Sequence, residues 1–230
     1  MRVKLSMDSG IRTATSASVL YAGAARQFAG QAASLDDVVV HQAADEKRRG
    51  EIETELLNVS LATVLTAYFA IEGLLNEALL AGSLGMTGNF QGLDAAAANR
   101  LSAAWDAGVS KLNPLEKADM ALVVAGAAPL AWGQGAAQRF ALLHDLRNDL
   151  VHHKPRWTEH GKPPTESDDK LERRLHQQFE NAVIWKGRGA AFRWHGCLGA
   201  GCGNWAWKTA AGFAQELSGR LGVRTDWMAA

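Results

Sequence analysis

Histidines, whose imidazole groups exchange protons near neutral pH, are concentrated in one part of this sequence. Five of the seven lie between residues 144 and 176. They are His144, His152, His153, His160 and His176. This clustering is compatible with proton-transfer chemistry, but solvated histidines on a charged helix would give the same pattern.

The segment 139–156, which reads RFALLHDLRNDLVHHKPR, predicts a helix with one apolar face. His144, Asn148 and His152 follow one another at i, i+4 and i+8 and form a polar stripe beside that face. Arg147 borders the apolar arc, about 140° around the helix axis from His152. Their action on one phosphate would therefore require long side chains, the end of the helix or a second subunit.

Residues 147–152 (RNDLVH) resemble the R-N-x-x-x-H signature of HEPN domains, the "higher eukaryotes and prokaryotes nucleotide-binding" helical family. The family motif joins an arginine to a histidine through a short spacer, with a polar residue often following the arginine. Here the spacer has four residues and Asn148 occupies the polar position. The resemblance covers about residues 45–182 and predicts a helical bundle.

Catalytic members of this family are metal-independent ribonucleases, so the resemblance implies attack of a ribose 2′-hydroxyl on the adjacent phosphate. His152 would be the general acid or base, and Arg147 would stabilise the charge on phosphate. Asn148 would orient His152 or donate to phosphate. His144, as a second proton-transfer group or substrate contact, and His153 would be supporting residues.

HEPN proteins usually place two motifs side by side in a homodimer, which implies that this chain dimerises. The resemblance also suggests a toxin or phage-defence effector, with an antitoxin or regulatory protein as a further partner. Two alternatives stay open. One is a non-catalytic HEPN module that binds nucleotide or protein, and the other is a metal-assisted hydrolase that uses the histidine cluster.

Glu72 is a lone acid in the apolar segment AYFAIEGLLNEALL. Burying an ionised carboxylate is costly unless it is paired, so Arg147, His144 or His152 are candidate partners. HEPN proteins often carry an acidic residue on an early helix near the motif, and Glu72 matches it. The alternative is that Glu72 lies at the edge of the buried stripe and reaches water.

Residues 182–210 contain four basic side chains, interleaved with aromatic ones, and no acid. This pattern is typical of contacts with single-stranded RNA, although burial of the tryptophans in the core is the favoured interpretation for most of them. The candidate RNA contacts are Lys154, Arg156, Arg188 and Arg193.

His195, Cys197 and Cys202 could suggest a metal site, but their spacing departs from the common zinc patterns. We therefore expect no metal and no cofactor. Two cysteines among 230 residues exclude a disulfide scaffold and fit a reducing compartment.

Composition limits the class of protein. Apolar residues make up 47% and the formal charge is +0, which excludes wholesale disorder and a broadly basic nucleic-acid coat. The apolar stretch 118–132 is interrupted by Asp119 and Pro129 and gives no run of 18 apolar residues, so no membrane segment is expected. We expect a cytoplasmic protein.

The pattern predicts an all-α fold with three parts. These are an N-terminal helical extension (1–44), a HEPN-like helical core (45–182) and a C-terminal extension packed on the core (183–230), in which 183–195 could form a small β-hairpin. Asn113, Pro114 and Glu116 predict a capping box, and Asp94 predicts another helix cap. Helices are predicted over about 14–32, 45–81, 95–109, 114–128, 136–153, 167–181 and 204–220.

Overall fold

The computed structural model describes residues 16–42, 46–84, 90–152, 166–180, 182, 196–225 and 227. Within these ranges the regular structure is helical and contains no strand, which confirms the all-α prediction. The predicted hairpin over 183–195 lies outside the described residues. The α-helices are α1 (Ala17–Gln42), α2 (Glu46–Leu84), α3 (Ala95–Asp106), α4 (Pro114–Ala125), α5 (Gly135–Val151), α6 (Glu166–His176) and α7 (Ala200–Leu221), with a 3-10 turn at Val109–Lys111.

Both predicted helix caps are present. The Asp94 carboxylate accepts from the backbone N–H of Ala97 at 2.8 Å, at the start of α3. At the start of α4, the Asn113 side chain and Glu116 form the reciprocal capping box. These caps satisfy backbone donors that the first helical turn leaves unpaired.

Helix α4 ends earlier than the sequence pattern predicted. We expected Pro129 and the glycines after it to terminate the helix, but it ends at Ala125. Gly126 follows with φ 84°, and its N–H bonds to carbonyls of the last turn. Glycine adopts this left-handed conformation without the steric cost that a Cβ would impose. The helix therefore ends at Ala125, before the chain reaches Pro129.

Helix α2 is the centre of the packing, since it contacts α1, α3, α4, α5 and α7. Its second half is lined by fully buried side chains, among them Ile71, Leu74 and Leu75. Among the described residues, α2 is the one helix long and apolar enough to cross a membrane. Core helices of soluble proteins have the same properties, so this finding leaves cytoplasmic localisation a prediction.

The N-terminus of α1 is attached to α2 through Glu77. This carboxylate accepts from the Ser18 backbone N–H at 3.0 Å and from the hydroxyls of Ser16 and Ser18. A carboxylate is favoured at this position because the helix dipole is positive there. The terminal helices α1 and α7 both contribute buried residues to the core around α2.

Helix α5 is fixed against α7 by aromatic stacking. The ring centroids of Phe140 and Phe213 lie 4.2 Å apart with an interplanar angle of 21°. Trp205 and Trp207 on α7 are buried, which agrees with their interpretation as core residues. The apolar side of α5 is thereby held in place, and its polar edge is directed along α2.

Candidate functional site

The polar edge of α5 carries His144, Arg147 and Asn148, all half-buried. They face Tyr68 on α2, which is 3% exposed. The Tyr68 hydroxyl oxygen lies 3.0 Å from His144 Nδ1, and Asn148 Nδ2 lies 2.9 Å from His144 Nε2. Arg147 Nη1 donates to Asn148 Oδ1 at 3.0 Å. We call these four connected residues the donor chain.

Arg147 is also held by two aromatic rings of α2. Its Cζ atom lies 5.0 Å from the ring centroid of Tyr68 and 5.9 Å from that of Phe69. A guanidinium over an aromatic face is stabilised by the ring quadrupole. Arg147 Nε is buried and donates to no acceptor in the described part of the chain.

The protonation of the donor chain is shifted by its surroundings. Burial lowers the pKa of His144, with the charge of Arg147 acting in the same direction and Asp145 and Glu72 opposing it. Burial and the Glu72 carboxylate raise the pKa of Tyr68 to about 12, against an opposing effect of Arg147. Near neutral pH these shifts favour an uncharged imidazole beside an uncharged phenol.

Glu72 has its ion pair with a residue that the sequence reasoning missed. Its Oε1 lies 3.9 Å from Nζ of Lys117 on α4, and Lys117 Nζ donates to Asn76 Oδ1 at 2.9 Å. Among the described residues no ion pair joins Glu72 to Arg147. The Glu72 carboxylate is the smallest of the four influences on the pKa of His144, and it opposes the lowering caused by burial.

His152 is the capping residue that follows the last residue of α5. Its backbone N–H donates to Asn148 O at 2.9 Å, and its side chain is exposed. Within the described residues, no hydrogen bond or ring contact joins the His152 side chain to Arg147. This agrees with the separation of about 140° around the helix axis that was predicted for Arg147 and His152. Of the three residues in the predicted polar stripe, His144 and Asn148 have their side chains in contact. In the described part of the chain, no such contact joins the His152 side chain to either of them.

Several predicted site residues lie outside the described part of the chain. They are His153, Lys154, Arg156, Arg188 and Arg193. His195 also lies outside it, whereas Cys197 and Cys202 are both buried free thiols. Burial and the neighbouring Cys197 raise the pKa of Cys202, which disfavours the thiolate that metals bind.

Two residues of the site were missed by sequence reasoning. Tyr68 stands four residues before Glu72, so the helical period placed it on the same face, but an aromatic residue in an apolar segment was indistinguishable from core. Lys117 is 3% exposed on α4. Its position at the start of the apolar segment KADMALVVAG was the sequence feature that could have indicated a buried, paired lysine.

Among the described residues, no group of three or more His, Cys, Asp or Glu side chains is placed to hold a metal ion. Comparisons with protein-family models, curated proteins and solved structures gave no match.

Proposed function

We propose that this chain is a metal-independent RNA endonuclease of HEPN type. The proposal combines the resemblance of residues 147–152 to the family motif with the surroundings of Arg147. His152 is the general acid or base, and Arg147 stabilises the charge that develops on the scissile phosphate. The enzyme is a homodimer in this proposal, with single-stranded RNA as its substrate.

The observation that carries the proposal is that the Arg147 guanidinium is fixed in position while one of its N–H groups has no acceptor in the part of the chain that the structure describes. It is fixed in position by Tyr68, Phe69 and Asn148. Nevertheless, its buried Nε–H has no acceptor among the described residues. An unpaired buried donor costs free energy, and an anionic oxygen that reached Nε would relieve that cost. Because Nε is covered in this structure, that contact requires the side chains around the half-buried guanidinium to move. A preorganised guanidinium suits a phosphate.

His152 supplies the other property that the reaction needs, a proton-exchanging group open to substrate. Its imidazole is exposed at the end of α5, one turn beyond Asn148. The base takes the proton of the 2′-hydroxyl as its oxygen bonds to phosphorus. The bond from phosphorus to the 5′-oxygen breaks, and an acid protonates that oxygen, leaving a 2′,3′-cyclic phosphate and a 5′-hydroxyl.

A homodimer would solve the separation of Arg147 from His152 on one helix. Two copies of α5 facing each other would offer two guanidinium groups and two imidazoles to one phosphate. One His152 would then act as the base and the other as the acid. Size-exclusion chromatography with light scattering tests this, and a monomer at the concentrations that support cleavage would contradict it.

The direct test is cleavage of end-labelled single-stranded RNA in EDTA by the wild type, His152→Ala and Arg147→Ala. Matched controls are Arg139→Ala and His176→Ala, which remove exposed side chains of the same types. All variants are checked for folding by circular dichroism. We expect 2′,3′-cyclic phosphate products from the wild type and both controls, loss of cleavage in both site variants, and no cleavage of DNA.

Cleavage that survives both site substitutions would show that the catalytic site lies elsewhere. Cleavage that EDTA abolishes would contradict the metal-independent mechanism. Either result would overturn the proposal as stated.

The second candidate is a non-catalytic HEPN module that binds nucleotide or protein and dimerises. The contact of Arg147 with the Tyr68 ring favours it, because the same contact would stabilise the packing of α5 on α2. A wild type that binds RNA or nucleotide by fluorescence anisotropy without cutting RNA would support the module. Loss of that binding in Arg147→Ala would assign it to the same site.

A further inference from the structure

Both ring nitrogens of His144 already have polar partners inside the protein. Nδ1 lies 3.0 Å from the Tyr68 hydroxyl oxygen and Nε2 lies 2.9 Å from Asn148 Nδ2. A histidine that transfers protons to a substrate needs one nitrogen available to that substrate. The geometry therefore argues against a proton-transfer role for His144 and points to a different one.

The direction of each hydrogen bond in the donor chain follows from Arg147. A guanidinium can only donate, so the amide atom of Asn148 that faces Nη1 must be the oxygen. The amide nitrogen of Asn148 then faces His144 and is itself a donor. Nε2 of His144 must accept, which leaves the single proton of the neutral ring on Nδ1, donated to the oxygen of Tyr68.

We propose that His144 is a positioning residue, held as the neutral Nδ1–H tautomer, which fixes the amide of Asn148 and through it the guanidinium of Arg147. The part concerning phosphate rests on the proposed function. The tautomer and the bond directions do not. Tyr68 is the end of the donor chain on α2, and its hydroxyl oxygen is the acceptor that fixes the imidazole.

Protonation of His144 would break one hydrogen bond of the donor chain. An imidazolium carries N–H donors on both nitrogens, so its Nε2–H would face the amide donor of Asn148. Among the residues that the structure describes, the charged and titratable groups that act on His144 are Tyr68 and Glu72 from α2, and Asp145 and Arg147 from α5. Burial opposes the charged ring, which keeps the donor chain intact near neutral pH.

The first test is nitrogen-15 NMR of the histidine rings in the full-length wild type, with His144 assigned by its loss in His144→Phe. We expect Nδ1 to resonate as a protonated nitrogen and Nε2 as an unprotonated one at pH 7.5. A ring protonated on Nε2, whether neutral or charged, would overturn the proposal. This measurement needs no enzymatic activity.

The second test is Asn148→Asp, which replaces the amide donor with an oxygen. Arg147 can still donate to the new carboxylate, but the oxygen facing His144 now requires a proton on Nε2. We expect the protonation of the ring to move to Nε2 and its pKa to rise above the wild-type value. A ring that keeps the neutral Nδ1–H form in a folded variant would overturn the proposal.

The matched control for charge is Gln138→Glu, at an exposed position of α5 outside the donor chain. It adds one negative charge to the same helix, and we expect the wild-type tautomer to persist. If Asn148→Asp does not fold, the wild-type tautomer alone decides the question.

Kinetics separate positioning from proton transfer where the wild type cleaves RNA. In His144→Phe we expect kcat/KM to fall about tenfold, equivalent to one hydrogen bond, with both limbs of the pH–rate profile retained. Loss of one limb would make His144 a proton-transfer group and overturn the inference. Absence of cleavage by the wild type would contradict the proposed function. The tautomer of His144 would then be decided by the NMR measurement alone.

Discussion

The guanidinium of Arg147 on α5 lies over the ring of Tyr68 on α2, with Cζ 5.0 Å from the ring centroid. This pair joins the helix that carries the motif to the helix at the centre of the fold. It also gives Arg147 a contribution to stability that is separate from any action on a substrate.

Replacing Arg147 by glutamine removes the charge over the ring and should lower the free energy of unfolding by about 1 kcal/mol. Urea denaturation of wild type and variant measures the change. Arg139→Gln, at an exposed position of the same helix, should change stability by less than about 0.5 kcal/mol. Equal effects of the two substitutions would contradict the stacking contribution.

The raised pKa of Tyr68 predicts a specific loss of stability in base. The unfolded chain releases the phenolic proton near pH 10, whereas the folded protein holds it until about pH 12. The contribution is therefore complete below pH 10 and is lost as the pH rises to about 12. Urea unfolding between pH 9 and 12 should show a smaller decline for Tyr68→Phe than for wild type.

The control for this titration is Tyr21→Phe, since the chain has two tyrosines and Tyr21 is 41% exposed. This variant should follow the wild-type decline. Parallel curves for Tyr68→Phe and wild type would show that the Tyr68 phenol titrates alike in both states.

Lys117→Met should destabilise the protein by about 1 to 2 kcal/mol. The substitution preserves much of the buried volume, but Asn76 Oδ1 loses the donor that now lies 2.9 Å away. Thermal or urea unfolding measures the loss, with Lys111→Met as a control at an exposed position. A gain in stability would mean that the desolvation cost of the lysine exceeds the value of its hydrogen bond.

Gly82→Ala tests the close approach of α2 to α3. A Cβ at this position would lie 2.6 Å from the carbonyl oxygen of Ala98 and 2.8 Å from Oγ of Ser102. Because the backbone of α3 cannot move away freely from the new Cβ, we expect the free energy of unfolding to fall by about 1 to 3 kcal/mol. A Cβ added at Gly30 in α1 would have no atom within 4 Å, so Gly30→Ala should raise the free energy of unfolding by about 0.5 to 1 kcal/mol.

The sequence predicted most helices because their signals are local. Asp94 and the Asn113 capping box mark helix starts by short-range hydrogen bonds, and both caps are present. Helix α1 continues beyond the predicted end near residue 32 to Gln42. The alanine-rich sequence has only a weak helical periodicity. The additional length of α1 depends on packing against α2, which no local sequence signal encodes.

The candidate site was predictable only on the helix that carries the motif. The spacing of His144 and Asn148 placed them in contact, and the structure has Asn148 Nδ2 2.9 Å from His144 Nε2. Tyr68 and Lys117 reach the site from other helices, so their roles depend on the relative placement of α2, α4 and α5. One sequence without tertiary information cannot distinguish such residues from core or solvated ones.

Tyr68, Glu72 and Asn76 occupy successive turns of α2, and this spacing has an evolutionary consequence. One inserted residue between Tyr68 and Asn76 would rotate the two ends of that segment by about 100° relative to each other. Tyr68 could then no longer meet α5 while Asn76 meets α4. Homologues that retain the site should therefore keep this segment constant in length and place their insertions and deletions in connections such as 126–134.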